Sequence, residues 1–333
     1  MLAIAQDRHG GVDRLSLREL PEPVCRPEDV IVAVEVAALN PSDWNIRQGR
    51  ARVLTSHAFP LVLGSDVSGR IAELGSAVSD WQVGDEVFGV SDPRRLGTLA
   101  QRVAIDARRL ARKPRALSHS EAAALPVVGQ TAWCGLFEQL RVRAGERLLV
   151  LGGSGGVGAA AIQLARAAGA SVLATAGARN LERVAKLGAE TALDYRDPLR
   201  FQRAAPVDAV FDTVGAPERL RAFAALRPGG RLVSIAGIPT GDAAAQHGVG
   251  RVGRALFELA SAREHLAAWR AGARYAYFFL DATGQRMREV AAACETQGLR
   301  APIDCELSFR DFRRGFERLE SGHPDGKVLL RWS

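Results

Sequence analysis

Between Arg147 and Thr175 the chain reads RLLVLGGSGGVGAAAIQLARAAGASVLAT. Arg147–Leu151 is a short apolar run of strand length, and it ends in Gly152, Gly153, Ser154, Gly155, Gly156, Val157 and Gly158. Ala159–Ala168 is rich in strong helix formers, Gly169 closes that helix, and Ser171–Thr175 is strand-like again. No other stretch limits the fold as much. The spacing Gly152-x-x-Gly155-x-x-Gly158 lets the chain reverse sharply, lets backbone N–H groups approach a pyrophosphate, and lets the helix pack closely on the strand. Phosphates so held would lie at the helix N-terminus, where unpaired N–H groups and the helix dipole favour negative charge. Glycines alone would be weak evidence, but a strand before them and a helix after them supply the context of a dinucleotide-binding turn.

Around this turn, residues 126–281 alternate strand and helix. A helix is expected near Asn180–Leu187, then strands at Thr191–Asp194 and Val207–Thr213. A helix at Pro217–Leu226 is expected to stop at Pro228-Gly229-Gly230, before a strand at Arg231–Ala236. Gly241–Arg254 gives no clear assignment; a helix at Leu256–Ala271 and an aromatic strand at Tyr275–Leu280 follow. Alternation of this kind predicts an α/β fold, a doubly wound parallel sheet with helices on both faces. Its ligand belongs outside the carboxyl ends of the strands, where their order reverses.

Residues 1–125 read instead as β-rich, with strand-like runs at Met1–Ala5, Val30–Ala38, Val67–Leu74, Glu86–Val90 and Gln101–Ile105. A helix near Ser120–Ala124 has Ser118 or Ser120 as its N-cap. Residues 282–333 supply a helix (Gln285–Glu295), a strand (Ile303–Phe309), a helix (Asp311–Glu320) and a strand (Val328–Trp332). This tail is expected to complete the N-terminal domain, so that 1–125 with 282–333 form one domain and 126–281 another.

Composition excludes several classes. With 333 residues, 47% of them hydrophobic and 24% charged, the chain has the makings of an ordinary two-domain globular protein. No run approaches the ~18 apolar residues of a membrane span, and MLAIAQDRHGG lacks a hydrophobic signal core, so a cytoplasmic location without membrane partners is expected. The net charge of +7 is mild, and the densest basic run, Arg108, Arg109, Arg112, Lys113 and Arg115, has no interleaved aromatics; no nucleic-acid partner is expected. Cys25, Cys134, Cys294 and Cys305 form no C-x-x-C pair, and the six histidines lack ligand-like spacing.

Several multi-residue stretches occur in the order known from one family. They are Ala38-Leu39-Asn40-Pro41-Ser42-Asp43-Trp44, Gly64-Ser65-Asp66-Val67-Ser68-Gly69, Gly129-Gln130-Thr131-Ala132-Trp133 and the glycine turn. Leu187-Gly188-Ala189, Asp194-Tyr195-Arg196, Arg227-Pro228-Gly229-Gly230 and Gly326-Lys327-Val328 continue the series. Over nearly its full length the chain resembles the medium-chain dehydrogenase/reductase superfamily, and within it the zinc-independent quinone oxidoreductases related to zeta-crystallin. The resemblance implies a Rossmann domain inserted in a β-rich GroES-like substrate domain, an active site in the cleft between the two, and a homodimer. Tyr275–Leu280 is then a candidate edge strand.

Zinc-dependent relatives carry Cys where Asn40 stands and Gly-His-Glu where Gly64-Ser65-Asp66 stands. A catalytic zinc needs three protein ligands; Asn40 and Ser65 are poor ones and Asp66 alone is insufficient, so no metal is expected. Without a Lewis acid, hydride transfer suits an acceptor that spreads the arriving charge itself, a quinone or an α,β-unsaturated carbonyl. An NADPH-dependent quinone or enone reductase is therefore expected. An enoyl-thioester or other carbonyl reductase, or a non-catalytic NADPH-binding protein, stands as the alternative.

NADPH is expected over NADH because Thr175-Ala176-Gly177-Ala178-Arg179-Asn180 lacks the Asp or Glu that would hold the ribose hydroxyls; the first acid is Glu182. The Thr175 hydroxyl, the Gly177 backbone and the Arg179 guanidinium would welcome a 2′-phosphate, and in the family the tyrosine matching Tyr195 contacts it. The weaker alternative is that Arg179 is an ordinary first-turn surface residue. The remaining cofactor candidates are Ser154, Gly155, Gly156, Val157 and Gly158 at the turn, Val214, Ala236 and Gly237 at strand ends, Phe278 and Phe279, and Lys327. The aromatic run also reads as core packing. Thr131, Asn40 and Asp43 are the catalytic candidates, although Asn40-Pro41 also reads as an Asx-type turn with no chemistry. Arg50-Ala51 follow Gly49, where many family members carry an aromatic. No side chain thus stands out as a general acid, and water is the expected proton source.

Overall fold

The computed structural model describes residues 1–52, 56–322 and 324–332, and the chain divides into two compact units, Met1–Gln130 with Ala282–Ser333, and Thr131–Asp281. The first unit opens with eight strands: β1 (Leu2–Gln6), β2 (Ser16–Glu19), β3 (Asp29–Leu39), β4 (Leu61–Val62), β5 (Asp66–Leu74), β6 (Glu86–Val90), β7 (Arg102–Asp106) and β8 (Leu110–Arg112). The second unit holds β9 (Arg147–Leu151), β10 (Ser171–Ala176), β11 (Thr191–Asp194), β12 (Val207–Asp212), β13 (Leu226–Ser234) and β14 (Arg274–Tyr277). The tail adds β15 (Ile303–Ser308) and β16 (Lys327–Arg331) to the first unit.

In the first unit β3 is the spine. Its run DVIVAVEVAAL is buried along nearly its whole length, which needs neighbours on both edges. It receives β5, β7 and β16, all antiparallel, in a sheet ordered β15-β16-β3-β5-β6-β8. Val32, Val34, Ile71, Val87, Phe316 and Leu330 lie in its core. The pairing of β16 with β3 brings Val328 opposite Leu39, which sets Lys327 beside the residues that follow β3.

The second unit is a six-stranded sheet ordered β11-β10-β9-β12-β13-β14, parallel throughout. Counted from β9, this is the order 3-2-1-4-5-6 of doubly wound dinucleotide-binding sheets. Its order reverses between β9 and β12, so the ligand crevice lies beyond Leu151 and Asp212.

Local expectations differ at several points. Pro228-Gly229-Gly230 does not stop a helix; it lies within β13, where the pairing skips from Leu226 to Arg231, and the preceding helix Glu218–Ala222 has already ended in a tight turn, Phe223–Ala225. The stretch without assignment forms the helix Gly241–Gln246, capped by Thr240, and the start of another. The single helix expected at 256–271 is two, Arg251–Ala260 and Ala262–Arg270, broken at Ser261. The last strand of this unit stops at Tyr277, leaving Phe278 and Phe279 beyond it.

Candidate active site

β9 delivers the chain into Gly152 at φ +78°, a left-handed conformation that costs glycine nothing. The Gly152 N–H donates to Thr175 Oγ1 at 3.1 Å and the Gly153 N–H to the Thr175 carbonyl at 2.8 Å, so the end of β10 braces the turn. A Cβ on Gly158 would stand 2.2 Å from the Gly152 carbonyl oxygen, which puts helix and turn in direct backbone contact. At Gly155 the nearest atom to such a Cβ is 3.5 Å away, so the backbone there is approachable. Gly155 is the N-cap of the helix Gly156–Ala167, whose first turn contains no acid and whose end no side chain caps. First-turn amides have no acceptor within their own helix. The cradle fits a pyrophosphate: Ser154, Gly155, Gly156 and Val157 line a half-buried rim around it.

Val214, Ala236 and Gly237 gather at the same edge of the sheet. A Cβ on Gly152 would meet Thr213 Oγ1 at 2.7 Å and Val214 Cγ2 at 2.8 Å, and one on Gly215 would meet the Ala236 methyl at 3.6 Å. Val214 and Gly237 are exposed. At the end of β10, Arg179 is exposed, and the half-exposed Tyr195 ring lies 3.3 Å from where a Gly177 Cβ would be, with the Arg196 guanidinium 5.4 Å above that ring. Glu182, the first acid after the strand, pairs with Lys186 at 2.6 Å. Thr175 is buried, and its hydroxyl oxygen accepts from the turn. Arg183 escaped the sequence reading; it donates to the Ser154 carbonyl at 3.0 Å, and its helical spacing of four from Arg179 was the available signal. Phe278 is a core residue stacked on Phe211 at 6.5 Å, whereas Phe279 is half-buried between His247 and Tyr277.

The first unit assembles a separate buried polar cluster. Asn40 is the N-cap of a short helix, Pro41–Arg47, that the Asn-Pro pair had disguised as a turn. The Asp43 carboxylate accepts from the Asn40 backbone N–H at 2.8 Å. The Asn40 amide donates to Asp66 Oδ2 at 3.0 Å and accepts from Lys327 Nζ at 2.5 Å, while Lys327 also donates to Asp66 Oδ2 at 2.8 Å. Val127 N–H occupies Asp66 Oδ1 at 2.7 Å. Lys327, a cofactor candidate, thus shares this cluster with two catalytic candidates. Burial pushes the Asp43 carboxyl up to about 7, with the nearby Asp66 charge acting the same way and the Asn40 N–H and Lys327 ammonium against it. Thr131, buried on the helix Pro126–Trp133, belongs to the other unit.

A zinc ion does not fit this cluster. Both oxygens of Asp66 are engaged, one of them by an ammonium, and Asn40 and Ser65 are weak donors. Among the described residues, no group of three His, Cys, Asp or Glu side chains is placed to hold a metal ion. No helix among them is long and apolar enough to cross a membrane.

A Rossmann sheet with an open phosphate cradle, joined to a β-rich unit, is the architecture of a two-domain nicotinamide dehydrogenase or reductase. The alcohol dehydrogenase GroES-like domain model matches residues 26–115 and the zinc-binding dehydrogenase model residues 187–330. The chain is 37% identical to 2-methylene-furan-3-one reductase of Solanum lycopersicum, over 99% of this chain and 79% of that protein. It is 38% identical to the chloroplastic NADPH-dependent alkenal/one oxidoreductase of Arabidopsis thaliana, over 72% of this chain and 64% of that one. The structure of the quinone oxidoreductase from Coxiella burnetii superimposes with a TM-score of 0.86 at 30% identity, covering 100% of this chain and 99% of that chain. This chain belongs to the medium-chain dehydrogenase/reductase superfamily.

Proposed function

We propose that the chain is an NADPH-dependent reductase of quinones or α,β-unsaturated carbonyls that works without a metal ion. One observation carries the reading: a helix N-terminus at Gly155–Gly156 that no side chain caps, beside a second strand followed by Gly177 and Arg179 with no carboxylate. The reduced nicotinamide supplies the hydride. Ser154 to Gly158 would hold the pyrophosphate, Arg179 and Tyr195 the 2′-phosphate, and Val214, Ala236 and Gly237 the nicotinamide side. The names of the quinone, alkenal/one and furanone enzymes above support an acceptor that delocalises charge.

Thr131, Asn40 and Asp43 are the proposed catalytic side chains. Asn40 has its amide fixed at both ends, so it acts through its place in the cluster; Asp43, titrating near neutrality, is able to hold or release a proton at working pH. The engaged Asp66 supports the metal-free reading, in which the acceptor bears its own developing charge. Steady-state oxidation of NADPH and NADH against quinones, enones and enoyl thioesters tests the reading: turnover with the first two classes supports it, and turnover confined to thioesters overturns the substrate class.

A homodimer is part of the proposal. β14 ends its sheet, and the two helices before it expose Val252, Leu256, Leu259, Leu266 and Trp269. The helix Arg251–Ala260 buries no residue at all, which an amphipathic helix does not sustain without a partner.

A further inference from the structure

Behind the strand ends at the carboxyl edge of the nucleotide sheet lies a buried ionic network that the function above leaves unused. Arg219, on the short helix Glu218–Ala222, is 1% exposed. Its Nη1 donates to the Ala236 carbonyl at 2.6 Å and to Ser234 Oγ at 3.1 Å, and its Nη2 to Glu264 Oε1 at 2.5 Å. The same Nη1 stands 3.5 Å from Asp212 Oδ2. Asp212, fully buried, spends its other oxygen on the N–H groups of Val214 and Gly215, both at 2.9 Å. Ser234 Oγ donates to Asp212 Oδ2 at 2.7 Å and accepts from the Ala236 N–H at 3.2 Å.

Two loops of the crevice, after β12 and after β13, are thereby tied to one guanidinium. Asp212 sets the amides of the first loop, and Arg219 sets the carbonyl of the second and lies 3.4 Å from where a Gly237 Cβ would be. Burying a guanidinium costs several kcal/mol unless charge partners and hydrogen bonds compensate it, and the fold supplies two carboxylates. Plain packing would not need this arrangement. A scaffold that must hold two irregular loops at fixed heights does, because a planar guanidinium offers donors in fixed directions.

We propose that Arg219 is a positioning residue for the nicotinamide half of the cofactor, acting through Asp212, Ser234 and Glu264 on the loops that carry Val214, Ala236 and Gly237. The proposal rests on the NADPH reading and deepens it. It separates the two halves of the site: the adenosine end, at Gly177, Arg179 and Tyr195, follows β10 and β11, which β9 separates from β12 and β13 in the sheet order.

The test measures two affinities on purified wild-type protein and on Arg219→Lys, for NADPH and for adenosine 2′,5′-bisphosphate, which lacks the nicotinamide half. Lysine keeps the charge but cannot reach Ala236, Ser234 and Glu264 in one plane. NADPH should bind about tenfold more weakly, the scale of one lost charge-assisted hydrogen bond, with bisphosphate affinity unchanged. Equal losses for both ligands would mean that the network only stabilises the unit, and no loss for either would mean that it positions nothing; both outcomes overturn the proposal. If Arg219→Lys does not fold, Ser234→Ala decides alone, a selective loss of NADPH affinity supporting the proposal and a non-selective or absent loss refuting it. A wild-type protein that binds neither ligand contradicts the NADPH reading itself, so the two failures are distinguishable.

Discussion

Asp43 holds its proton in the fold at pH values where an unfolded aspartic acid has lost it. Folding therefore takes up a proton between about pH 4 and the folded value of about 7, and stability contributed by this group falls as pH rises through that window. Asp43→Asn removes the titration while keeping an acceptor for the Asn40 N–H. Its stability relative to wild type should accordingly improve between about pH 5 and pH 8, by an amount on the order of 2–3 kcal/mol; denaturation at the two pH values checks this, and an unchanged difference would contradict it. Gly158→Ala should cost about 2 kcal/mol or more, because its methyl would overlap the Gly152 carbonyl at 2.2 Å, and should abolish measurable NADPH binding. Denaturant titration and cofactor fluorescence read both effects. At this scale the sequence singled out residues by their motifs but not how they meet. Asn40 and Asp43 stood out by their motif, and Lys327 by another, yet a contact between residues 261 apart, Asp66 and Lys327, leaves no local trace.

Elements were legible where a local rule had only one reading. The run of glycines between a strand and a helix pointed to a dinucleotide-binding turn, and the alternation of residues 126–281 to a parallel sheet. Pro228-Gly229-Gly230 misled because the same residues end helices and interrupt strands. Asn40-Pro41 left two readings open because asparagine before proline begins turns and helices alike, and here Asn40 and Asp43 form the capping box of the helix Pro41–Arg47. The tip of β10 carries its own prediction. Arg179→Ala should raise the KM for NADPH about tenfold, the scale of a lost guanidinium–phosphate pair, and leave the KM for NADH unchanged. Parallel loss for both cofactors would show that Arg179 serves the strand end and not the 2′-phosphate.

For the whole molecule, the order of signatures along the chain made the family legible, because each signature answers a backbone need of one fold. Substrate identity was not legible, since no side chain stood out as a general acid and a delocalised acceptor needs few specific partners. The proposed dimer rests on exposed apolar residues that only coordinates reveal: if it forms, Leu256→Glu combined with Leu259→Glu should convert it into monomers by light scattering, with folding retained because neither side chain is buried. The central proposal is metal-free hydride delivery from NADPH, held at the Gly155–Gly158 cradle, to a quinone or enone. The direct measurement is NADPH oxidation by chelator-dialysed protein with one quinone and one enone as acceptors. Saturable turnover that the chelator leaves intact is the expected result. Turnover that disappears with the chelator and returns on adding zinc, or no oxidation with either acceptor, would contradict it.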